Sequence, residues 1–338
     1  MFNIKWAPLN VPLRRRLQTL SIFCIVFLAS YGIFAGYIFF IALLWTRLWW
    51  LDVLYILYAL YNNCSAGFYS HSRSDWYRSW RIWKYCVEYY PIKLVKTVDL
   101  DPTKNYLAPS HPHGLLTLSQ WLTVSSTAVG FEDTFPGLIT YIASVPTRFG
   151  IPFERELLVH SGACMATEEC LLYHLDNKKH KGNFIVMNPG GSAEVMITRN
   201  DSYNLYLKNR KGFARVALKA GATIVPIFSF GENKIFDSVA FRPDTLLGRF
   251  QKWARDHTKF GLIPPSGRGF FQYSFGMIPH RIPIYVVVGA PIDVPQVLDP
   301  TREQIDEIHE KFVQAITDLF HEHKHKYESD PNIRLNIY

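Results

Sequence analysis

Residues 210–233 read RKGFARVALKAGATIVPIFSFGEN, and this stretch indicates the fold class. Its first half is typical of a helix that ends at Gly221, because glycine readily takes the left-handed conformation that closes a helix. Its second half, ATIVPIFSF, is an apolar and β-branched run typical of a buried strand. A helix followed directly by a buried strand is the repeating pattern of an α/β protein.

The same alternation continues on both sides of this stretch. Further buried strands are expected at GLITYIAS, NFIVMN and PIYVVVG, and a helix at TEECLLYHL. The last predicted helix begins with a capping-box pair, Thr301 and Gln304. It also carries an apolar stripe typical of packing, formed by Ile305, Ile308, Phe312, Ile316, Leu319 and Phe320. Residues 62–338 are therefore predicted to form one α/β domain around a mostly parallel sheet.

The composition points to a globular domain held at a membrane. Of the 338 residues, 49% are hydrophobic and 15% aromatic while only 19% are charged, which is too apolar for a typical cytosolic enzyme. The formal charge of +8 is spread widely, without zinc-finger spacing or a long basic run, so we expect no nucleic-acid partner. The five cysteines form no CxxC pair, as expected for free thiols facing a reducing compartment.

The N-terminal region is predicted to anchor the chain. Residues 17–46 carry no charge, and this run is longer than the roughly 20 residues that a helix needs to cross hydrocarbon. A second apolar stretch, 48–61, is interrupted by Asp52. Basic residues flank the whole block, and basic flanks prefer the cytosol. We therefore expect residues 1–16 in the cytosol and a membrane hairpin over 17–61, with a single crossing and a re-entrant second segment as the alternative.

The segment SHPHG, residues 110–114, is the first candidate for chemistry. Its proline pushes His111 into extended backbone, and Gly114 permits a close approach by a ligand. In an extended segment the imidazoles of His111 and His113 would point to the same side. A histidine that acts as general base on a substrate hydroxyl needs no nucleophile from the protein. From these residues alone, a surface turn with solvated rings is the alternative.

A carboxylate to support that base is expected from NPGGSAE. This segment follows the predicted strand NFIVMN, so Gly190, Gly191 and Glu194 would lie at the carboxyl end of a strand, where α/β sites are usually built. Adjacent glycines can also present backbone N–H groups to an oxyanion. The alternative is an ordinary strand-to-helix turn with a surface glutamate.

A run of basic residues on the predicted helix within residues 210–221 is the candidate anion site. It includes Arg210, Lys211 and Arg215, and no acidic residue on that helix compensates it. Like charges four residues apart repel by roughly a few tenths of a kcal/mol per pair. This favours an external anion, such as a coenzyme phosphate or a lipid headgroup, over the alternative of a solvated helix face.

Other chemistries have weaker support. The cluster HEHKHK, residues 321–326, has lysines around its histidines and fits a solvated helix end better than a metal site. There is no GxSxG elbow or Walker loop, and Cys164 and Cys170 fit buried structural thiols. We expect no metal and no cofactor.

Together these segments resemble the diacylglycerol acyltransferase type 2 family, which includes monoacylglycerol and wax-ester acyltransferases. The resemblance covers nearly the whole chain and rests on YYPIKLVKT at 89–97, HPHG at 111–114 and the stretch 210–233. It implies a glycerolipid-acyltransferase-like domain behind an N-terminal transmembrane hairpin. It also implies transfer of a fatty acyl group from acyl-CoA to the hydroxyl of mono- or diacylglycerol, at the endoplasmic reticulum membrane or a lipid droplet.

The resemblance also places the site residues. The HPHG motif falls on His111, Pro112, His113 and Gly114, and the glycine pair and acid fall on Gly190, Gly191 and Glu194. We expect His113 to be the base, Glu194 to hold its imidazole, and N–H groups at the glycines to receive the oxyanion. The aspartate of the broader HxxxxD acyltransferases is absent, since Leu118 occupies that position.

The expected partners are fatty acyl-CoA, as a substrate, a mono- or diacylglycerol acceptor, and membrane lipids. The phosphates of the coenzyme are assigned to Arg210, Lys211 and Arg215. A long-chain alcohol as acceptor, a membrane lipid hydrolase and a non-catalytic lipid-binding protein are the alternatives. The sequence indicates neither the acyl-chain preference nor whether the chain forms a homo-oligomer.

Overall fold

A computed structural model describes residues 4–63, 73–237, 244–258 and 263–338. The α-helices of these residues are α1 Leu13–Leu44, α2 Trp49–Asn63, α3 Asp75–Arg78, α4 Arg81–Tyr89, α5 Leu118–Val124, α6 Phe131–Thr134, α7 Glu154–His160, α8 Glu168–Leu175, α9 Gly191–Ile197, α10 Gly212–Ala220, α11 Leu246–Thr258 and α12 Arg302–Tyr327. The strands are β1 Ile92–Lys96, β2 Tyr106–His111, β3 Ile139–Ser144, β4 Ala163–Met165, β5 Asn183–Met187, β6 Ser202–Leu205, β7 Thr223–Ile224, β8 Ile227–Phe230, β9 Ile284–Val288 and β10 Arg334–Ile337.

The main sheet confirms the predicted α/β domain. Its strand order is β1-β9-β8-β2-β5-β3-β4, with β7 paired to β2. All of its pairs are parallel except β8 with β9. A second, small sheet pairs β10 with β6 in parallel. Because β8, β2 and β5 are parallel neighbours, their carboxyl ends meet at one edge of the main sheet.

Residues 210–233 form the expected helix, but the strand that follows it differs from the one expected. The helix α10 ends at Gly221, which takes the left-handed conformation with φ +62°. The single strand expected at ATIVPIFSF is divided into β7 and β8. The division falls at Pro226, which has no N–H to donate to a neighbouring strand.

Helices cover both faces of the sheet. Along β2, Tyr106 and Ala108 belong to one hydrophobic core while Leu107 between them belongs to the other. Residues of α1, α4 and α5 pack in the first core, and residues of α8, α10 and α12 pack in the second. Both sides of β2 are therefore buried, and functional side chains on this strand can reach solvent only at its end.

The last helix, α12, confirms its predicted start and its predicted packing stripe. The hydroxyl of Thr301 accepts a hydrogen bond from the backbone of Gln304, whose side chain bonds back to the backbone of Thr301. Five residues of the predicted stripe are buried, namely Ile308, Phe312, Ile316, Leu319 and Phe320. The stripe is packing, as the pattern indicated.

The helix α1 is the one helix among the described residues that is long and apolar enough to cross a membrane. Its 32 residues extend about 48 Å at roughly 1.5 Å each, against about 30 Å of hydrocarbon. The helix α2 has 15 residues and contacts α1 after a short connection at 45–48. The two-crossing hairpin over 17–61 stays a prediction.

One side of α1 lies against the α/β domain. Ile22 and Val26 are fully buried, and Arg14 donates to the carboxylate of Glu88 on α4 at 2.6 Å. Further along, the backbone at Gly36 comes so close that a Cβ there would lie 2.7 Å from the carbonyl oxygen of Pro152. Large apolar side chains on α1 are exposed, including Phe34, Ile38, Phe39, Ile41 and Leu44. The domain therefore packs directly beside an apolar helix surface.

Candidate active site

The HPHG segment forms a turn at the carboxyl end of β2. His111 is the last residue of the strand and is fully buried, and its peptide bond to Pro112 is cis. Gly114 takes a left-handed φ of +58°. The strand ends at His111, so the extended backbone from which a shared side of the two imidazoles was expected does not continue to His113. His113 is only partly buried and lies nearer to the surface.

Glu194 lies directly beneath this turn. It sits on α9, which follows β5, and β5 is the parallel neighbour of β2. Its carboxylate is fully buried, with Oε2 3.1 Å from Nδ1 of His111. Oε1 accepts a hydrogen bond of 2.6 Å from the backbone N–H of His113, and Oε2 accepts one of 3.0 Å from the backbone N–H of Tyr206. The carboxylate thus binds the strand end, the turn and the segment after β6.

This arrangement corrects one part of the sequence interpretation. Glu194 was expected to hold the imidazole of His113, whereas the structure places it against the imidazole of His111 and the backbone of His113. The reason is geometric: the carboxylate lies inside the domain, on the buried side of the turn.

Electrostatics keep Glu194 ionised. Burial by itself raises the pKa of this carboxyl group, but His111 and the backbone hydrogen bond from His113 outweigh burial and hold the pKa below its ordinary value. Because the carboxylate accepts at Nδ1 of His111, that nitrogen carries a proton. Nε2 of His111 is buried and has no partner in the described part of the chain.

The ring of His113 is suited to accept a proton. Its Nδ1 lies 3.3 Å from the carbonyl oxygen of Gly114, which can only accept a hydrogen bond, so Nδ1 carries the proton there and Nε2 keeps its lone pair. Burial lowers the pKa of His113, partly opposed by the negative charge of Glu194. The imidazole is therefore neutral at neutral pH.

The three glycines of the predicted site differ in what they do. A Cβ on Gly190 would lie 2.1 Å from Oε2 of Glu194, so this position must be glycine for the carboxylate to fit. The N–H of Gly191 donates to the carbonyl oxygen of Asn188 at 3.2 Å and is occupied. Among the described residues no acceptor is paired with the N–H of Gly114.

Several basic residues of the predicted anion site form ion pairs with acids on other helices. Arg215 and Lys219 both bind the carboxylate of Glu168 on α8, at 2.7 and 2.6 Å, and Lys211 binds that of Asp306 on α12 at 2.7 Å. No acid on α10 itself compensates these charges, as the sequence indicated, but acids on the neighbouring helices α8 and α12 do, which weakens the inference of an external anion at Lys211 and Arg215.

Arg210 differs from its neighbours. It is exposed, and its guanidinium lies over the ring of Tyr206 at 5.0 Å from the centroid. The backbone N–H of Tyr206 is one of the donors to Glu194. Arg210 is thereby the basic residue of this run that is connected most directly to the buried carboxylate.

The sequence interpretation missed a second carboxylate at the turn, Glu232. It follows β8, is 1% exposed, and accepts hydrogen bonds from the backbone N–H groups of Leu118 at 3.0 Å and Ser119 at 2.9 Å. A Cβ on Gly114 would lie 2.7 Å from its Cγ, so the side chain supports the turn from below. Burial raises its pKa to about 7, partly opposed by the hydrogen bonds from Ser119 and Leu118. The sequence signal that could have indicated this carboxylate is the pair Gly231-Glu232, which directly follows β8, a parallel neighbour of β2.

The buried carboxylate of Glu194 thus fastens the histidine turn at the carboxyl edge of the mostly parallel sheet of an α/β domain. Residues 41–338 match the family described as diacylglycerol acyltransferase. The chain belongs to this family.

Several curated relatives align over most of their length. The 2-acylglycerol O-acyltransferase 1 of Bos taurus is 38% identical over 337 residues, which covers 98% of this chain and 99% of the relative. Diacylglycerol O-acyltransferase 2A of Umbelopsis ramanniana is 35% identical, covering 96% of this chain and 91% of the relative. Acyl-CoA wax alcohol acyltransferase 1 of Homo sapiens is 38% identical, covering 85% and 87%.

Among solved structures, the 1-acyl-sn-glycerophosphate acyltransferase PlsC of Thermotoga maritima aligns with 91% of this chain and 97% of its own. The identity is 13% and the TM-score 0.38.

Proposed function

We propose that this chain transfers a fatty acyl group from acyl-CoA to the free hydroxyl of mono- or diacylglycerol, with His113 as general base. The observation that carries the proposal is the His113 turn, whose backbone is fixed by the buried carboxylate of Glu194. Membership of the family, and relatives named for acylation of acylglycerols, support the reaction class.

The chemical step needs one base and no covalent enzyme intermediate. Nε2 of His113 takes the proton of the acceptor hydroxyl while the hydroxyl oxygen attacks the carbonyl carbon of the thioester. The oxyanion accepts a hydrogen bond from the N–H of Gly114 and then collapses, breaking the C–S bond. CoA leaves as a thiolate and takes the proton from the imidazolium of His113, which restores the neutral base. A base of this kind contributes about 10²–10⁴-fold.

His111 and Glu194 act as positioning residues in this scheme. His111 is fully buried, so its ring does not meet the substrate. Its hydrogen bond keeps Glu194 ionised, and Glu194 in turn holds the amide of His113. The negative charge also favours the imidazolium that forms on His113 during the reaction.

Acyl-CoA is a substrate here, and Arg210 is the preferred contact for its phosphates. Arg210 is exposed, whereas Lys211 and Arg215 each have a carboxylate partner from another helix. Lys211 and Arg215 can contribute to the coenzyme site only by sharing or releasing those partners.

The membrane anchor explains how an apolar acceptor arrives. α1 lies beside the domain with exposed apolar side chains, so an acylglycerol can enter laterally from the bilayer. We place the chain in the endoplasmic reticulum membrane, and on lipid droplets, with the catalytic domain in the cytosol. Residues Asn200, Asp201 and Ser202 form an N-glycosylation sequon, and on this topology Asn200 carries no glycan because it faces the cytosol. A glycan on Asn200 in cells would contradict this topology.

The test uses membranes that express the chain, supplied with labelled oleoyl-CoA and with monoacylglycerol, diacylglycerol and a long-chain alcohol in competition. Label in diacylglycerol or triacylglycerol is the expected result. Label in wax ester would show that the acceptor is a long-chain alcohol and not an acylglycerol. Label found only in free fatty acid would indicate a hydrolase. Binding of acyl-CoA without any turnover would indicate a non-catalytic lipid-binding protein.

A further inference from the structure

A cluster of soft metal ligands lies outside the active site, between β4 and α8. Cys164 is on β4, while Cys170 and His174 are one turn apart on α8 and therefore share a face of that helix. We propose that Cys164, Cys170 and His174 supply three ligands of a site for a thiophilic divalent metal ion that stabilises the fold, with zinc as the ion that fits best and a water molecule as its fourth ligand.

The distances suit a shared ion. One ligand atom from each residue, two sulfurs and an imidazole nitrogen, lies within 4.8 Å of the other two. Ligand atoms around a tetrahedral zinc, with bonds of about 2.3 Å to sulfur and 2.0 Å to nitrogen, lie about 3.5–3.8 Å apart. Binding of the ion therefore draws the three side chains together by about 1 Å. Among the residues that the structure describes, this is the one group of three such side chains close enough to share an ion.

Burial and charge favour a divalent ion. Cys164 and Cys170 are fully buried and His174 is 1% exposed. When the ion binds, each thiol releases its proton to solvent, so two thiolates, a neutral imidazole and a divalent cation carry no net charge. A monovalent ion would leave one negative charge in the core, which is costly. Thiolate and imidazole ligands select zinc-like ions over magnesium or calcium.

Without an ion, the same groups satisfy one another. Cys170 is hydrogen-bonded to Cys164 and to His174. Cys164 and Cys170 were expected to be buried structural thiols, and their spacing in the sequence matches no familiar zinc pattern. The fold, by pairing β4 with the sheet edge and packing α8 over it, adds the histidine and assembles the third ligand.

The site would fasten an edge of the sheet. β4 has only three residues and ends the strand order, with β3 and β5 between it and the histidine turn on β2. A metal that joins β4 to α8 therefore acts on stability and takes no part in acyl transfer.

The experiment measures metal content in the full-length chain, purified in detergent without chelators. Elemental analysis of the wild type is expected to give about one zinc per chain, and Cys170→Ser is expected to lose it. Cys86→Ser, which alters a buried thiol of the other core, is the matched control and keeps the metal. Cobalt added to the metal-depleted wild type should give thiolate-to-cobalt absorption that Cys170→Ser lacks.

Three results would overturn the proposal. One is a wild-type protein that binds no zinc even after dialysis against it and shows no thiolate absorption with cobalt. Another is a Cys170→Ser protein that retains the full metal content. The third is a Cys164–Cys170 disulfide found by mass spectrometry in wild-type protein isolated under conditions that trap free thiols.

Discussion

Nδ1 of His111 lies 3.1 Å from Oε2 of Glu194, and both groups are buried beneath the turn that carries His113. The two histidines of the motif thus have separate tasks. His111 fixes the buried carboxylate, and the carboxylate fixes the backbone of His113, which is itself only partly buried.

Glu194→Gln tests this division. The amide keeps one acceptor oxygen where the carboxylate serves three donors, and a lost hydrogen bond to a charged group costs about 1.5–3 kcal/mol. We expect kcat to fall about 10- to 100-fold. Adding His111→Ala to this variant should cost little more, because both changes break the same unit. Additive losses would contradict the coupling, and Glu322→Gln, at an exposed position, is the control.

The pH profile of kcat/KM reports on His113 as base. A base must be neutral, and burial lowers its pKa below the ordinary value of 6.5, so the rate should rise with pH and level off below about 6.5. In Glu194→Gln the rising part of the pH profile should move to still lower pH, because the negative charge that opposes the lowering of the His113 pKa is lost. A limb above pH 7 in the wild type would contradict the assignment.

Gly190→Ala tests the fit of the carboxylate. The added Cβ would lie 2.1 Å from Oε2 of Glu194, so the side chain must move away from its donors. We expect a loss of turnover comparable to that of Glu194→Gln. The control is Gly150→Ala, where nothing lies within 4 Å of the added atom. Equal turnover in the two alanine variants would show that the contact is unimportant.

Glu232 should give the folded protein a distinct pH dependence. Its folded pKa of about 7 exceeds the ordinary value of 4.5, so the folded state holds a proton that the unfolded state has released between these pH values. Stability from this group is present below pH 4.5 and is lost as pH rises through 7. The Tm of the wild type should therefore fall, relative to that of Glu232→Gln, between pH 5 and 8. Parallel curves would show an ordinary carboxyl group.

Arg210 and Arg215 form a matched pair for the coenzyme site. Arg210→Glu should raise the KM for acyl-CoA and make it more sensitive to salt, because phosphate contacts are electrostatic. Arg215→Ala should leave this KM nearly unchanged and cost at most about 1 kcal/mol of stability, since its ion pair with Glu168 is half exposed. The reverse pattern would move the phosphate site to Arg215.

Sequence patterns predicted the parallel sheet, the cap at Gly221 and the packing stripe of α12 because each depends on local periodicity or turn chemistry. Gly190, Gly191 and Glu194 were singled out from their position after a predicted strand, whereas the HPHG segment was singled out from its residue types and its resemblance to the family motif. What the patterns could not supply was contact between distant segments. The acids that neutralise α10 lie on other helices, Glu194 meets His111 instead of the ring of His113, and Glu232 approaches from a third strand.

The most direct test of the account compares His113→Ala with His321→Ala, an exposed histidine on α12, in membranes that contain equal amounts of each folded protein. Initial rates of acyl transfer from labelled oleoyl-CoA give kcat and KM for both. The account predicts that His113→Ala lowers kcat about 10²–10⁴-fold with little change in the KM for acyl-CoA, while His321→Ala behaves as the wild type. Turnover by His113→Ala close to that of the wild type would contradict its role as the base.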